Sequence, residues 1–136
     1  MDWFAFQAGA TDFVIAFVAA VLFFVAFKFV YQLVTPYHER GLIRQGNTAA
    51  AVALGGALIG YVLPLASALS HTVSLPEFAA WALLAGVIQI GSFIVISRLV
   101  YRALATKIEA GELAAGVYLA SISLGVGLLN AACMTA

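Results

Sequence analysis

The chain has 136 residues, of which 65% are hydrophobic and 9% charged, and its formal net charge is zero. A soluble domain carries about 25% charged residues and is about half apolar, so a water-facing globule and a disordered chain are both excluded. One cysteine rules out a disulfide scaffold, and a chain with no basic excess lacks the footprint of a nucleic-acid binder.

Roughly 20 apolar residues carry a helix across a ~30 Å hydrocarbon core. Four stretches meet that length. The first covers about 13–34 and opens after Thr11 and Asp12, either of which can cap it. The second covers about 48–69, the third about 78–100 after Pro76-Glu77, and the fourth about 113–134. A β-barrel would need alternating segments, and the continuous apolar run 49–63 does not alternate. The first span lacks the positive n-region of a signal peptide and ends in Lys28 and Tyr31, so it is expected to stay in the chain. The expectation is an all-α polytopic membrane protein, a single transmembrane domain over 1–136 with four transmembrane helices.

Orientation follows from charge. Lys28, Arg40 and Arg44 surround the first loop, and Arg98, Arg102 and Lys107 the third. The N-terminus, the loop 70–77 and the C-terminus hold no Lys or Arg. The positive-inside rule then makes the first and third loops cytoplasmic and leaves both termini outside. Trp3 and Trp81 fit the outer interface, and Tyr31, Tyr37 and Tyr101 the inner one.

An offset of 65 brings Ile43-Arg44-Gln45-Gly46-Asn47-Thr48-Ala49-Ala50-Ala51-Val52 onto Ile108-Glu109-Ala110-Gly111-Glu112-Leu113-Ala114-Ala115-Gly116-Val117, with Ile, Gly, Ala-Ala and Val in register. The pattern reads as two tandem helical hairpins, about 11–70 and 76–136. Such a parallel internal repeat implies a pseudo-twofold axis along the membrane normal. The first span carries Phe13, Phe17, Phe23, Phe24, Phe27 and Phe29, a bulky surface suited to lipid or a partner subunit. The second and fourth carry small residues four apart, with Gly56, Gly60, Gly116, Gly125 and Gly127 as packing positions. Small-xxx-small faces let backbones approach, so these two helices are expected at the centre with the others outside, or else one small face serves a homodimer.

The runs Gly46-Asn47-Thr48-Ala49-Ala50-Ala51, Gly55-Gly56-Ala57-Leu58-Ile59-Gly60, Pro64-Leu65-Ala66-Ser67-Ala68 and Leu129-Asn130-Ala131-Ala132-Cys133-Met134-Thr135 resemble the YjfL family of small bacterial inner-membrane proteins. The resemblance covers almost the whole chain. It implies four helices in an inner membrane, a duplicated hairpin and no agreed activity or site. Through the gene neighbourhoods of such proteins it also implies envelope maintenance or polyamine-linked chemistry.

Six polar residues are candidates for function: Asp12, Lys28, Ser67, His71, Gln89 and Asn130. Lys28 lies about six residues, roughly 9 Å, inside its span, and either snorkels to the headgroups or lines an anion path or subunit contact. Asp12, Ser67, His71, Glu77 and Asn130 gather at the outer ends of the spans, either as interhelical glue or as a polar vestibule in which Asp12 and His71 take a cation or proton. If the second and fourth helices pair, Ser67 and Asn130 fall at similar depth, within reach of a hydrogen bond. Gln89 with Ser92 reads as an interhelical or intersubunit clasp, and Pro64 as a kink that frees the carbonyl of Gly60. Cys133-Met134-Thr135-Ala136 has the spacing of a prenylation box, rejected because Thr135 is not aliphatic and the terminus lies outside. No catalytic motif, metal-ligand set or cofactor motif is present. The expectation is a non-enzymatic, homo-oligomeric subunit in the bilayer, serving envelope maintenance or stress. Its basic loops, with Arg40, Arg44, Arg98, Arg102 and Lys107, would meet anionic lipid or a cytoplasmic protein partner. The rival is a small oligomeric channel or transporter for an ion or polyamine-like solute.

Overall fold

In a computed structural model, residues 2–134 are described, and they form helices and turns without a strand. The order is α1 (Trp3–Val34), α2 (Glu39–Arg44), α3 (Thr48–His71), α4 (Leu75–Val95) continued by a π turn (Ile96–Val100), α5 (Leu104–Glu109) and α6 (Leu113–Cys133). Helices α1, α3, α4 with its π turn, and α6 are long and apolar enough to cross a membrane. The four expected spans are therefore present. The terminal Thr135 and Ala136 of the C-terminal motif lie outside the described residues.

The helix starts are set by short polar side chains. Asp2 caps α1, accepting from the backbone N–H groups of Phe4 at 3.0 Å and Ala5 at 3.3 Å. The cap is thus ten residues earlier than Thr11-Asp12, which lie inside the helix; the Thr11 hydroxyl donates back to the Gln7 carbonyl. Residues 3–10, with Gln7 and Gly9 among them, are less apolar than 13–34, so hydropathy placed the start too late. Asn47 caps α3 and Ser74 caps α4, where Pro76 sits in the first turn and costs no hydrogen bond.

Two short helices shape the basic loops. Both α2 and α5 end in Schellman motifs: Asn47 N–H donates to Leu42 O and Gly46 N–H to Ile43 O, while Glu112 N–H donates to Lys107 O and Gly111 N–H to Ile108 O. The motif needs a left-handed residue, and Gly46 and Gly111 both have φ 86°.

The centre of the bundle is the seam between α3 and α6. Gly56 lies against Ala120, Gly60 against the Ser123 carbonyl, Gly116 against Ala49, and Gly127 against Gly60. A Cβ at any of these four positions would overlap the facing helix. Lipid is as apolar as leucine, so helices here gain by close packing rather than by escaping water. Gly125 departs from the expectation: it faces open space, because the seam follows positions 116, 120, 123 and 127 round the helix. Pro64 is buried within α3 and removes the donor for the Gly60 carbonyl; Gly127 packs directly on that carbonyl.

Helix α1 is joined to the bundle by an aromatic ladder. Phe23 meets Phe78 edge-on at 5.7 Å, Phe27 stacks on Tyr61 at 4.3 Å, and Tyr31 meets Phe93 at 5.1 Å. These three rungs are four apart on α1 and therefore share one face. Of the six phenylalanines expected to form a surface for lipid or a partner subunit, Phe27 is buried and Phe23 and Phe24 half-buried within the bundle, while Phe13, Phe17 and Phe29 stay exposed.

Candidate functional site

Polar side chains gather in three places, and the sequence candidates divide among them. In the membrane interior, Gln89 and Asn130 are both buried. Gln89 Nε2 donates to the Ser123 carbonyl at 3.2 Å, and Asn130 Nδ2 donates to the Ala85 carbonyl at 3.2 Å and to Gln89 Oε1 at 3.4 Å. This is a clasp within one chain, tying α4 to α6. The Ser67–Asn130 bond that pairing of α3 with α6 put within reach is not formed. Ser67 donates instead to the Ala131 carbonyl, one residue further along α6. The Ser92 hydroxyl turns back to its own helix at Gln89 O.

At the end where α3 meets α4, Asp12 is exposed and lines a 370 Å³ groove with Ile15, Leu69, Thr72 and Ser74. His71 is exposed and does not line it; its Nδ1 lies 2.7 Å from the Ser67 carbonyl and 3.2 Å from the Ser70 hydroxyl. Asp12 and His71 are therefore not brought together into one vestibule.

At the opposite end lie the basic residues. Arg40, Arg44, Arg98 and Arg102 are exposed, and Lys107 places its ammonium 5.3 Å from the centre of the Tyr101 ring. Arg98 and Arg102 line a 410 Å³ cavity with Ser97, Thr106 and Glu109 beside the π turn. Lys28 is half-buried, and its charge acts on Glu39, a residue that was not among the sequence candidates.

Glu39 opens α2 and is only 3% exposed. Close to it are Tyr31, the last rung of the ladder, and Tyr37, both buried. Thr35 lies beside them, its hydroxyl donating to the Gln32 carbonyl at 3.0 Å and reaching the Tyr37 carbonyl at 3.5 Å. The Tyr31 and Tyr37 hydroxyls approach each other, and Thr35 approaches the carboxylate, but the phenol and carboxylate oxygens make no well-formed hydrogen bond among the described residues. Burial pushes the Glu39 carboxyl up to about 7, against the opposing pull of Thr35 and of Lys28. Burial likewise drives the Tyr37 phenol well above its ordinary range, with Glu39 adding to the effect. One signal in the sequence could have flagged this cluster: tyrosines at positions 31 and 37 on either side of a proline, with a carboxylate two residues further on.

The family described as Domain of Unknown Function (DUF350) matches residues 5–134. The chain belongs to this family. Among DUF350-type relatives, the UPF0719 inner membrane protein YjfL of Escherichia coli, in strain K12 and in O157:H7, is 43% identical over 119 residues, covering 88% of this chain and 89% of its own. The UPF0719 transmembrane protein YshE of Bacillus subtilis strain 168 is 32% identical over 114 residues, covering 83% of this chain and 85% of its own. No solved structure matches. The YjfL-family resemblance seen in the sequence is thus borne out, and the protein is a membrane protein of a DUF350 family without an assigned function.

Proposed function

We propose that this DUF350 protein is a non-enzymatic inner-membrane subunit that works as a homo-oligomer, with both termini outside and the basic turns facing the cytoplasm. The observation that carries the reading is the contrast between the α3–α6 seam and α1. At the seam, backbone lies on backbone at Gly56, Gly60, Gly116 and Gly127, which leaves no passage between these helices in one copy. Along α1, by contrast, Trp3, Phe4, Phe6, Phe13 and Phe17 are exposed, and only Phe27 and Tyr31 are buried. A second copy, whose own α1 offers the same rings for stacking, is the proposed occupant of this face in competition with lipid. The relatives named as inner membrane and transmembrane proteins support the location, and the six basic residues at one end support the orientation. Matched placement of α2 with α5, Gly46 with Gly111 and the starts of α3 and α6 supports a reading as tandem hairpins.

The test is native mass spectrometry of the full chain released from lipid discs, with cysteine-labelling of the termini in intact cells for orientation. The expected result is a discrete oligomer that falls to monomer in the double variant Phe13→Ala, Phe17→Ala, with both termini labelled from outside. A wild-type chain that is monomeric in lipid overturns the oligomer. Termini labelled only from the cytoplasmic side overturn the orientation.

A further inference from the structure

The end of α1 and the start of α2 enclose a set of oxygens that packing alone does not explain. Tyr31 is 1% exposed, Tyr37 6% and Glu39 3%. Both phenol oxygens and both carboxylate oxygens are shut off from solvent and lack a hydrogen-bond partner among the described residues. Buried polar groups are ordinarily paired, and four unpaired oxygens on three neighbouring side chains point to a group that they bind. The fold does not require a carboxylate at this place. At the matching position of the other basic turn stands Leu104, fully buried and apolar.

The oxygens also define the guest. A carboxylate only accepts, and each phenol can turn a lone pair inward, so the cluster offers negative charge and lone pairs rather than fixed donors. One carboxylate balances one positive charge. A divalent ion prefers more carboxylates than this, and among the described residues no group of three His, Cys, Asp or Glu side chains is placed to hold a metal. A 280 Å³ cavity walled by Tyr37 and Glu39 with Phe29, Gln32, His38 and Arg40 lies alongside, while the four oxygens themselves are closed off from it. Lys28 biases the site through its charge without occupying it as a hydrogen-bond partner. We propose that Tyr31, Tyr37 and Glu39 form a binding site for a single monovalent cation, an alkali ion or ammonium.

The experiment uses the full chain in lipid discs at pH 8, titrated with sodium, potassium, ammonium, magnesium or calcium chloride against choline chloride at constant ionic strength. Thermal unfolding and isothermal titration calorimetry are read together. The expected result is a saturable, one-site response to at least one of the three monovalent cations over choline. Glu39→Gln, which keeps shape and removes charge, is expected to abolish it, and Tyr37→Phe to weaken binding at least tenfold. Response to sodium or potassium alone identifies an alkali site, and response to ammonium alone an ammonium site. No saturable response to any of the three in the wild type, an equal response in Glu39→Gln, or a response confined to magnesium or calcium each overturns the proposal.

Discussion

The two basic turns close on the same backbone and differ in what they bury. Each holds a six-residue helix, ends on a glycine at φ 86°, closes with the same pair of backbone hydrogen bonds and hands the chain to a spanning helix. In the turn after α4, Leu104 and Ile108 are both 0% exposed and seal the joint as an apolar plug. In the turn after α1, the places of Leu104 and Ile108 are taken by Glu39, which is buried, and Ile43, which is exposed at 36%. One scaffold therefore serves as a hydrophobic seal at one site and as an enclosure for a carboxylate at the other. Burial at a turn reports the backbone's shape, and the side chain decides whether that shape stabilises the fold or holds a charge at a cost.

Exchanging the two fillings breaks the comparison most sharply. Leu104→Glu puts an unpaired carboxylate into the sealed turn and is expected to destabilise the protein by about 3–5 kcal/mol at pH 8, read by unfolding in mild detergent. The reverse exchange, Glu39→Leu, removes a buried charge and should stabilise by about 2–3 kcal/mol at the same pH in choline buffer. A loss of stability instead would show that Glu39 is held by a partner even there.

The pH dependence follows from the same contrast. The folded carboxyl of Glu39 titrates at about 7 against an ordinary 4.5, so the folded state holds its proton more tightly than the unfolded chain. Its contribution is fully present below about pH 4.5 and is lost as pH rises to about 7, a fall of up to about 3 kcal/mol. Unfolding midpoints across that range in choline should show the slope in the wild type and its disappearance in Glu39→Gln.

Smaller differences lie at the exits of the turns. Asn47 caps α3 through Ala50 N–H at 3.0 Å and donates to the Ile108 carbonyl of the other turn at 2.9 Å, whereas Glu112 at the start of α6 makes no side-chain cap. Asn47→Ala should therefore cost about 1–2 kcal/mol, and Glu112→Ala a few tenths at most, measured by thermal unfolding. Gly46→Ala and Gly111→Ala should each cost about 1 kcal/mol and by the same amount, since both hold the left-handed residue of the same motif. Unequal costs would mean that the two backbones are not equivalent under load.

Hydropathy made the spans legible, because each apolar run of bilayer length has one solution in lipid. The seam was legible too, except at Gly125: four-residue spacing identifies small residues but not the rotation of the helix, which follows the 116–120–123–127 track. The start of α1 was not, since Gln7, Gly9 and Asp12 interrupt the apolar run and the capping Asp2 looks no different from Asp12 in a charge count. Helices of six residues leave no periodicity, so α2 and α5 read as plain loop. That is why Glu39 escaped notice. In a loop it is a solvated counter-charge, and only the helix that begins with it turns its side chain under Tyr37. Tyr31 was hidden for a related reason, as an interfacial tyrosine and the last rung of a buried ladder have the same sequence signature.

The reach of α1 gives this protein a stem that stands proud of its bundle. Its 32 residues extend about 48 Å, against about 32 Å for the 21 residues of α6 and a hydrocarbon slab of ~30 Å. The apolar stretch 13–34 alone, about 33 Å, matches that slab, and exposed Asp12 lies beside Thr72 and Ser74 where α3 gives way to α4. Phe23, Phe27 and Tyr31 join the other end of the helix to the bundle. The turns from Trp3 to Thr11 therefore run on past the hydrocarbon, an aromatic post at the level of the headgroups.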